Sequence, residues 1–302
     1  MKEIREIIRF WEAYRGQTFA LATLVAARGS SYRRPGARML ISAAGDSVGG
    51  LSAGCIEEEV IAHAREALRD GAPKLLSFDT RLRFGCHGEI DILVEPLREE
   101  LMIELRECYI QRQRLQLETM FQGQPLGTRI AGFVTDPAAF TQTIQPALRL
   151  ILLGDNSDTA ALRVHGALLG WEIIQIDSAP LPCEIIDDRT AVVIATHHFG
   201  RDSAALRNLL PAGLKYLGLI GSRRRRDELL FDVVNDDMPP LSCLFAPAGL
   251  HLGAETPDEI ALSIIAEIQC VFGAGTAEHL RLRKTPIHLP NSASVACAKS
   301  AA

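Results

Sequence analysis

Residues 150–154 read Leu-Ile-Leu-Leu-Gly, four apolar side chains in a row closed by a glycine. A strand without polar alternation has no face to give to water. It belongs inside a sheet covered on both sides, which is the condition of a parallel sheet. The unit then recurs. A helical stretch, Ala160–Leu169, ends at Gly170 and leads to a second strand, Trp171–Asp177. Ala191–Ala195 runs into Thr-His-His-Phe-Gly, and Tyr216–Ile220 into Gly221-Ser222 and four arginines. Strands alternating with helices at this spacing predict a doubly wound α/β domain, Rossmann-like in shape, over residues 148–271.

That shape places a ligand crevice beyond the carboxyl ends of the strands. Gly154 opens the first strand–helix loop, and Asp177 stands ~20 residues on, where a dinucleotide fold carries its ribose-binding acid. An NAD(P)-dependent oxidoreductase is therefore one reading of this half. The loop itself argues against it. Where G-x-G-x-x-G is needed, the chain has Gly154-Asp-Asn-Ser-Asp-Thr159. Asn156 brings a side chain to the place where bare backbone would approach a pyrophosphate, and Asp155 and Asp158 add negative charge beside it. Weak dinucleotide binding or none is the expectation. His197 at a strand end, and Ser222 with Arg223 at a helix start, are further candidate ligand contacts on this rim. Thr256-Pro257-Asp258-Glu259 carries a cap, a first-turn proline and a returning glutamate, a strong helix start with a structural meaning.

The N-terminal half has another pattern. Ile4, Ile7, Ile8 and Trp11 follow helical spacing, Gly16 stops that helix, and Phe19–Val25 reads as a buried strand. The segment from Arg28 to Arg38, with Arg33 and Arg34 inside it, alternates arginine with Ser, Tyr and Gly, a composition suited to gripping phosphate. Met39–Ser42 and Val48–Leu51 read as strands joined by a turn. Next, Gly49, Gly50 and Gly54 lead into Cys55, with a helix starting directly after it. Glycines let backbone approach a ligand closely, and a thiol at a helix start sits among unpaired N–H groups that favour its thiolate. Glu57, Glu58 and Glu59 suit the positive end of the helix but oppose a nearby thiolate. A second cysteine, Cys86, lies in Phe84-Gly-Cys-His-Gly-Glu89 between the strands Lys74–Phe78 and Ile90–Val94. Leu97, Leu101, Leu105 and Tyr109 predict a helix running on toward Met120, then a hairpin over Gly123–Val134 and a domain boundary within 136–146. The domains expected are thus a mixed α/β domain with its connecting helix over 1–135, the Rossmann-like domain over 148–271, and a flexible tail over 276–302.

Composition excludes several classes. A net charge of −5 gives no broad attraction for nucleic acid. No apolar run approaches the ~18 residues of a membrane helix, and the charged N-terminus does not read as a signal peptide. Seven scattered cysteines then point to reduced thiols in the cytoplasm. Cys55 with Cys86 and His87 lacks the ligand count and spacing of structural zinc. A thiol-redox pair of Cys55 and Cys86 stays open as a reading.

Five motifs taken together carry a resemblance. They are Gly29-Ser-Ser-Tyr-Arg-Arg-Pro-Gly-Ala-Arg-Met-Leu40, Gly49-Gly-Leu-Ser-Ala-Gly-Cys-Ile-Glu57, Phe84-Gly-Cys-His-Gly-Glu-Ile90, Gly218-Leu-Ile-Gly-Ser-Arg-Arg-Arg225 and Gly253-Ala-Glu-Thr-Pro-Asp-Glu-Ile-Ala-Leu-Ser263. In these the chain resembles the XdhC/CoxI family of xanthine dehydrogenase accessory factors, over most of 15–97 and 148–271. Two departures stand out: His87 replaces a glycine beside Cys86, and the 154–159 loop lacks the usual Gly-x-Gly. The resemblance implies a non-enzymatic chaperone that binds molybdenum cofactor (molybdopterin) and hands it, sulfurated, to the apo-enzyme of a molybdenum hydroxylase. It admits a cysteine desulfurase and a second copy of the chain as further partners. Carried over by position, Cys55 is the molybdenum ligand or sulfur-handling thiol and Cys86 a second, with Arg33, Arg34 and Arg38 toward the pterin phosphate. Thiolate is a soft donor suited to a molybdenum–sulfur centre, in keeping with that assignment.

Overall fold

The structure is a computed structural model and describes residues 2–54, 56–79, 88–132, 136–177, 180–182, 185–233 and 241–284. The described residues divide into two compact units, one up to Pro146 and the other from Ala147.

The first unit is built on β1 (Phe19–Gly29). It pairs antiparallel with β2 (Arg38–Ser42) on one side and β5 (Gly88–Pro96) on the other. With β3 (Ser47–Gly49) and β4 (Lys74–Asp79) the sheet runs in the order β3-β2-β1-β5-β4, antiparallel throughout. This alternation has a topological result. β1, β3 and β4 end at the edge of the sheet where β2 and β5 begin.

Strand residues alternate between two faces. Ala20, Ala22, Leu24, Met39, Ile41, Ile92 and Val94 face α2 (Glu57–Asp70), which contributes Val60, Ala64 and Ala67. Leu21 and Leu40 face α1 (Lys2–Ala13) and α3 (Glu99–Ile110). Helix α1 buries Ile4, Ile7, Ile8 and Trp11, the face its three-and-four spacing predicts.

The helix expected to run toward Met120 instead stops at Ile110. Arg112 takes a left-handed conformation, φ 55°, and breaks it. Residues Leu115–Met120 form β6, the centre of a three-stranded antiparallel sheet with β7 (Gly127–Ile130) and β8 (Phe140–Ile144). Pairing on both sides outweighs the local helical spacing. Strand β8 also means that residues 136–146 are not merely a linker, since part of them is sheet.

The second unit is a five-stranded parallel sheet in the order β10-β9-β11-β12-β13. Its strands are β9 (Arg149–Leu153), β10 (Glu172–Ile176), β11 (Thr190–Ile194), β12 (Tyr216–Leu219) and β13 (Leu244–Phe245). Ile151, Leu153, Val192, Ile194, Leu217 and Leu219 pack on α5 (Phe199–Leu209) and α6 (Arg223–Val233). Leu150, Leu152, Ala191, Val193 and Tyr216 pack on α4 (Ser157–Leu168) and α7 (Pro257–Gly273). Both faces are covered, so the domain is doubly wound and Rossmann-like. Helix α7 starts with the expected reciprocal cap between Thr256 and Glu259. Residues 276–284 of the expected tail include one short 3₁₀ turn at Leu280–Leu282, and residues 285–302 lie outside the described set. Among the described residues, no helix is long and apolar enough to cross a membrane.

Candidate functional site

The shared edge of the first sheet gathers the N-terminal motifs. The arginine loop connects the end of β1 to the start of β2, and the glycine loop leaves the end of β3. Gly29 pairs with Gly88 in register, so β4 ends and β5 begins at this edge as well. Cys55, Cys86 and His87 lie outside the described residues. Their described neighbours, Gly54, Ile56 and Gly88, bracket them.

The glycine loop rests on β2. Gly50 N–H donates to the Arg38 carbonyl at 3.1 Å. Gly49 has φ +87°, and a Cβ there would come within 2.2 Å of that same carbonyl oxygen, so only glycine fits. Gly54 is also left-handed, φ +102°, with open space around its α-carbon.

One side chain draws this loop together. The Glu57 carboxylate accepts from Leu51 N (3.2 Å), Ser52 N (2.8 Å), Ser52 Oγ (2.7 Å) and Ile56 N (3.1 Å). Burial pushes its carboxyl up, but the Ser52 hydroxyl and the backbone N–H groups outweigh that and hold it below the ordinary value. Sequence reasoning assigned Glu57 to the helix dipole and missed this clasp. It also counted the N–H groups beside Cys55 as unpaired, whereas Ile56 N is taken. The available signal was a serine and a glutamate at the two ends of a glycine loop, the elements of a side chain reaching back to cap a turn.

The three arginines do different things. Arg34 is exposed and makes no ion pair among the described residues. Arg33 is half-buried and bonds Glu3 at 2.6 Å. Arg38 points into the fold, 2% exposed, where its Nη1 donates to Gly36 O (3.1 Å) and to Gln142 Oε1. Burial draws its pKa down to about 10, against the opposing charge of Glu95. The expected surface contact from Arg38 to a phosphate is thus replaced by an interior one. At the root of the loop, Arg28 grips Asp91 through both Nη atoms (2.7 and 3.1 Å) and Glu89 through Nε (3.2 Å).

The second unit gathers the other predicted residues at its carboxyl edge. The order of strands reverses between β9 and β11, the switch point where Rossmann ligands lie. Gly154, φ +118°, sits there, and a Cβ would meet Ala195 O at 2.5 Å. Asn156 caps α4, accepting from Asp158 N (3.0 Å) and Thr159 N (3.2 Å). Its Nδ2 donates across the switch point to Ala195 O at 2.6 Å. The first-turn N–H groups that would hold a pyrophosphate therefore have an internal acceptor. His197, in a left-handed conformation with φ 55°, sits 3.2 Å from Asp158 through Nε2. Asp177 is exposed beyond β10. Ser222 accepts from Arg225 N (3.2 Å) as the cap of α6, Arg223 is exposed, and Arg225 is paired to the buried Asp202 at 2.7 Å.

Both units match known family models. Residues 13–79 match that of the XdhC and CoxI family, and residues 150–268 that of the XdhC Rossmann domain. The chain belongs to the XdhC and CoxI family. This XdhC-family chain is 28% identical to a probable xanthine dehydrogenase subunit of Bacillus subtilis (strain 168), over 82% of this chain and 91% of that one. It is 27% identical to the molybdenum cofactor insertion chaperone PaoD of Escherichia coli (strain K12), over 85% of this chain and 84% of that one. A crystal structure of a xanthine dehydrogenase from Bacillus halodurans superposes with a TM-score of 0.76 at 25% identity, covering 91% of this chain and 96% of that chain.

Proposed function

We propose that this XdhC-family protein is a cofactor-insertion chaperone and not an enzyme. In this reading it binds sulfurated molybdenum cofactor as cargo and delivers it to the apo-enzyme of a xanthine-dehydrogenase-type molybdenum hydroxylase. A cysteine desulfurase would supply the sulfur. The observation that carries the reading is that the arginine loop, the glycine loop, the end of β4 and the start of β5 share one sheet edge. Two relatives whose names concern xanthine dehydrogenase and cofactor insertion support it.

The donor set fits the cargo. Arg34, free of any ion pair among the described residues, and Arg33 can give charge-assisted hydrogen bonds to the pterin phosphate. Gly49, Gly50 and Gly54 keep backbone accessible, and the thiols of Cys55 and Cys86 are soft donors for molybdenum. In the second unit His197, Ser222 and Arg223 are the proposed contacts. Because the Asn156 cap takes the N–H groups of Asp158 and Thr159, the oxidoreductase alternative is not favoured.

The test is to purify the protein from cells that make the cofactor and to measure bound pterin. Wild type is expected to carry it, Cys55→Ala to lose at least ~10-fold, about 1.4 kcal/mol of binding, and Arg34→Ala to retain less than wild type. If wild type and Cys55→Ala both carry none, or both carry the same amount, the proposal fails.

A further inference from the structure

Arg38 is a charged side chain enclosed between the two sheets of the first unit, and its hydrogen bonding is one-sided. Both acceptors, Gly36 O and Gln142 Oε1, are reached by Nη1. Nε and Nη2 are buried with no protein partner, and no other described arginine leaves two such nitrogens. The Nε/Nη2 edge is the side of a guanidinium that presents two parallel N–H groups to one acceptor. Thr23 is the register partner of Arg38 on β1, fully buried, and its Oγ1 also lacks a partner. Directly paired residues on neighbouring strands share a face, so these donors belong to one patch of the interior.

The carboxylates nearby direct their hydrogen bonds elsewhere. Glu95 accepts from Thr128 N (2.9 and 3.1 Å) and Thr128 Oγ1 (2.6 Å). Glu118 accepts from Arg129 Nε at 2.6 Å and from Asp136 N. Burial lowers the Arg38 pKa only to about 10, so the guanidinium keeps its charge at neutral pH. A buried charge needs both hydrogen-bond acceptors and a counter-charge. Glu95 opposes the Arg38 charge but accepts no hydrogen bond from it, and burial pushes the Glu95 carboxyl itself up toward its neutral form, so the Nε and Nη2 donors still lack an acceptor.

We propose that the Nε/Nη2 edge of Arg38, together with the Thr23 hydroxyl, holds a small monovalent inorganic anion of chloride size inside the first unit. The ion is distinct from the cargo, because Arg38 is only 2% exposed and Gln142 closes over Gly36 beside it. Its consequence for the cargo edge is indirect. The Arg38 carbonyl is the support on which Gly49 and Gly50 rest, so the ion steadies the strand from which the glycine loop springs.

The experiment uses the full chain and no molybdenum cofactor, so its outcome does not depend on the chaperone reading. Melting temperature is followed as sodium gluconate is replaced by sodium chloride at constant ionic strength. Wild type is expected to rise saturably, by roughly 5 °C once chloride reaches a hundred times its Kd. Thr23→Val, which removes only the hydroxyl, is expected to shift the midpoint to higher chloride. Crystals soaked in sodium bromide locate the site, with an anomalous peak expected within hydrogen-bond reach of Arg38 Nε and Nη2. Equal melting temperatures in chloride and gluconate overturn the proposal. So does a Thr23→Val response identical to wild type, or a bromide map in which that position holds water or no peak.

Discussion

Removing the Glu57 carboxylate should loosen the glycine loop by a predictable amount. Four donors converge on it, three backbone N–H groups and the Ser52 hydroxyl. A buried hydrogen bond to a charged group contributes about 1.5–3 kcal/mol. This loop is half-open, with Ala53 and Gly54 exposed, so the released donors recover much of that from water. Taking about 0.5–1 kcal/mol per bond, Glu57→Ala is expected to destabilise the first unit by about 2–4 kcal/mol. That corresponds to a melting shift of roughly 5–10 °C. Glu57→Gln keeps one acceptor oxygen and should lose about half as much. Trp11 and Trp171 are the chain's two tryptophans, one in each unit. Urea unfolding followed by Trp11 fluorescence in a Trp171→Phe background therefore reports the first unit alone. The ranking wild type, Gln, Ala is the signature of a clasp. A Glu57→Ala variant within about 0.5 kcal/mol of wild type would refute the reasoning, since that is the range of an idle surface position.

Three further outcomes follow from other parts of the structure. Asp91 is buried, which pushes its carboxyl up, yet the Arg28 fork and the Ser77 hydroxyl hold it below its ordinary value. A depressed folded pKa stabilises at high pH and is lost as pH falls through it. The advantage of wild type over Asp91→Asn, about 1–2 kcal/mol, should therefore persist down to about pH 4 and shrink below it in acid titrations. Gly154→Ala forces a Cβ against Ala195 O at positive φ. Calorimetric unfolding should show a loss of more than about 2 kcal/mol confined to the second unit, and a neutral result would contradict the backbone path drawn for the switch point. Calorimetry with NAD or NADP at millimolar ligand should show no heat. Asn156→Ala, which removes the internal acceptor, should lose about 1 kcal/mol of stability. Measurable binding by wild type would show that the Asn156 cap yields to a pyrophosphate.

The doubly wound unit was legible because its strands have no polar face. Leu150–Leu153 and Ala191–Ala195 admit hardly any environment except a covered parallel sheet, and period and spacing supplied the order of elements. The N-terminal strands were placed by the same reasoning, with boundaries short by a few residues where β1 and β5 run on through Gly29 and Gly88. Residues 115–120 defeated it. Their place in a sheet comes from partners at 127–130 and 140–144, and nothing within the segment announces them. The site divides in a similar way. That arginines and glycines cluster is a property of sequence, but which arginine turns inward is a property of packing. Arg38 belongs to a five-residue strand buried along its whole length, a fact visible only once β1 and β3 flank it. Glu57 and Asn156 were misjudged for a related reason. Each was weighed by charge or bulk, whereas each acts by accepting hydrogen bonds from a backbone that first has to bend around it.

The shared edge has one more consequence. The ends of β1, β3 and β4 share it with the starts of β2 and β5, and it is complete only after β1 has paired with β5, a partner about seventy residues further along the chain. Contacts of such separation form late, because loop closure must precede them. A chain still on the ribosome, or one whose sheet has opened between β1 and β5, owns each strand but has no assembled grip. On the proposed reading, capacity to hold a ligand at this edge is therefore a readout of completed folding. On that reading, cargo would be taken up only by molecules that have finished the sheet.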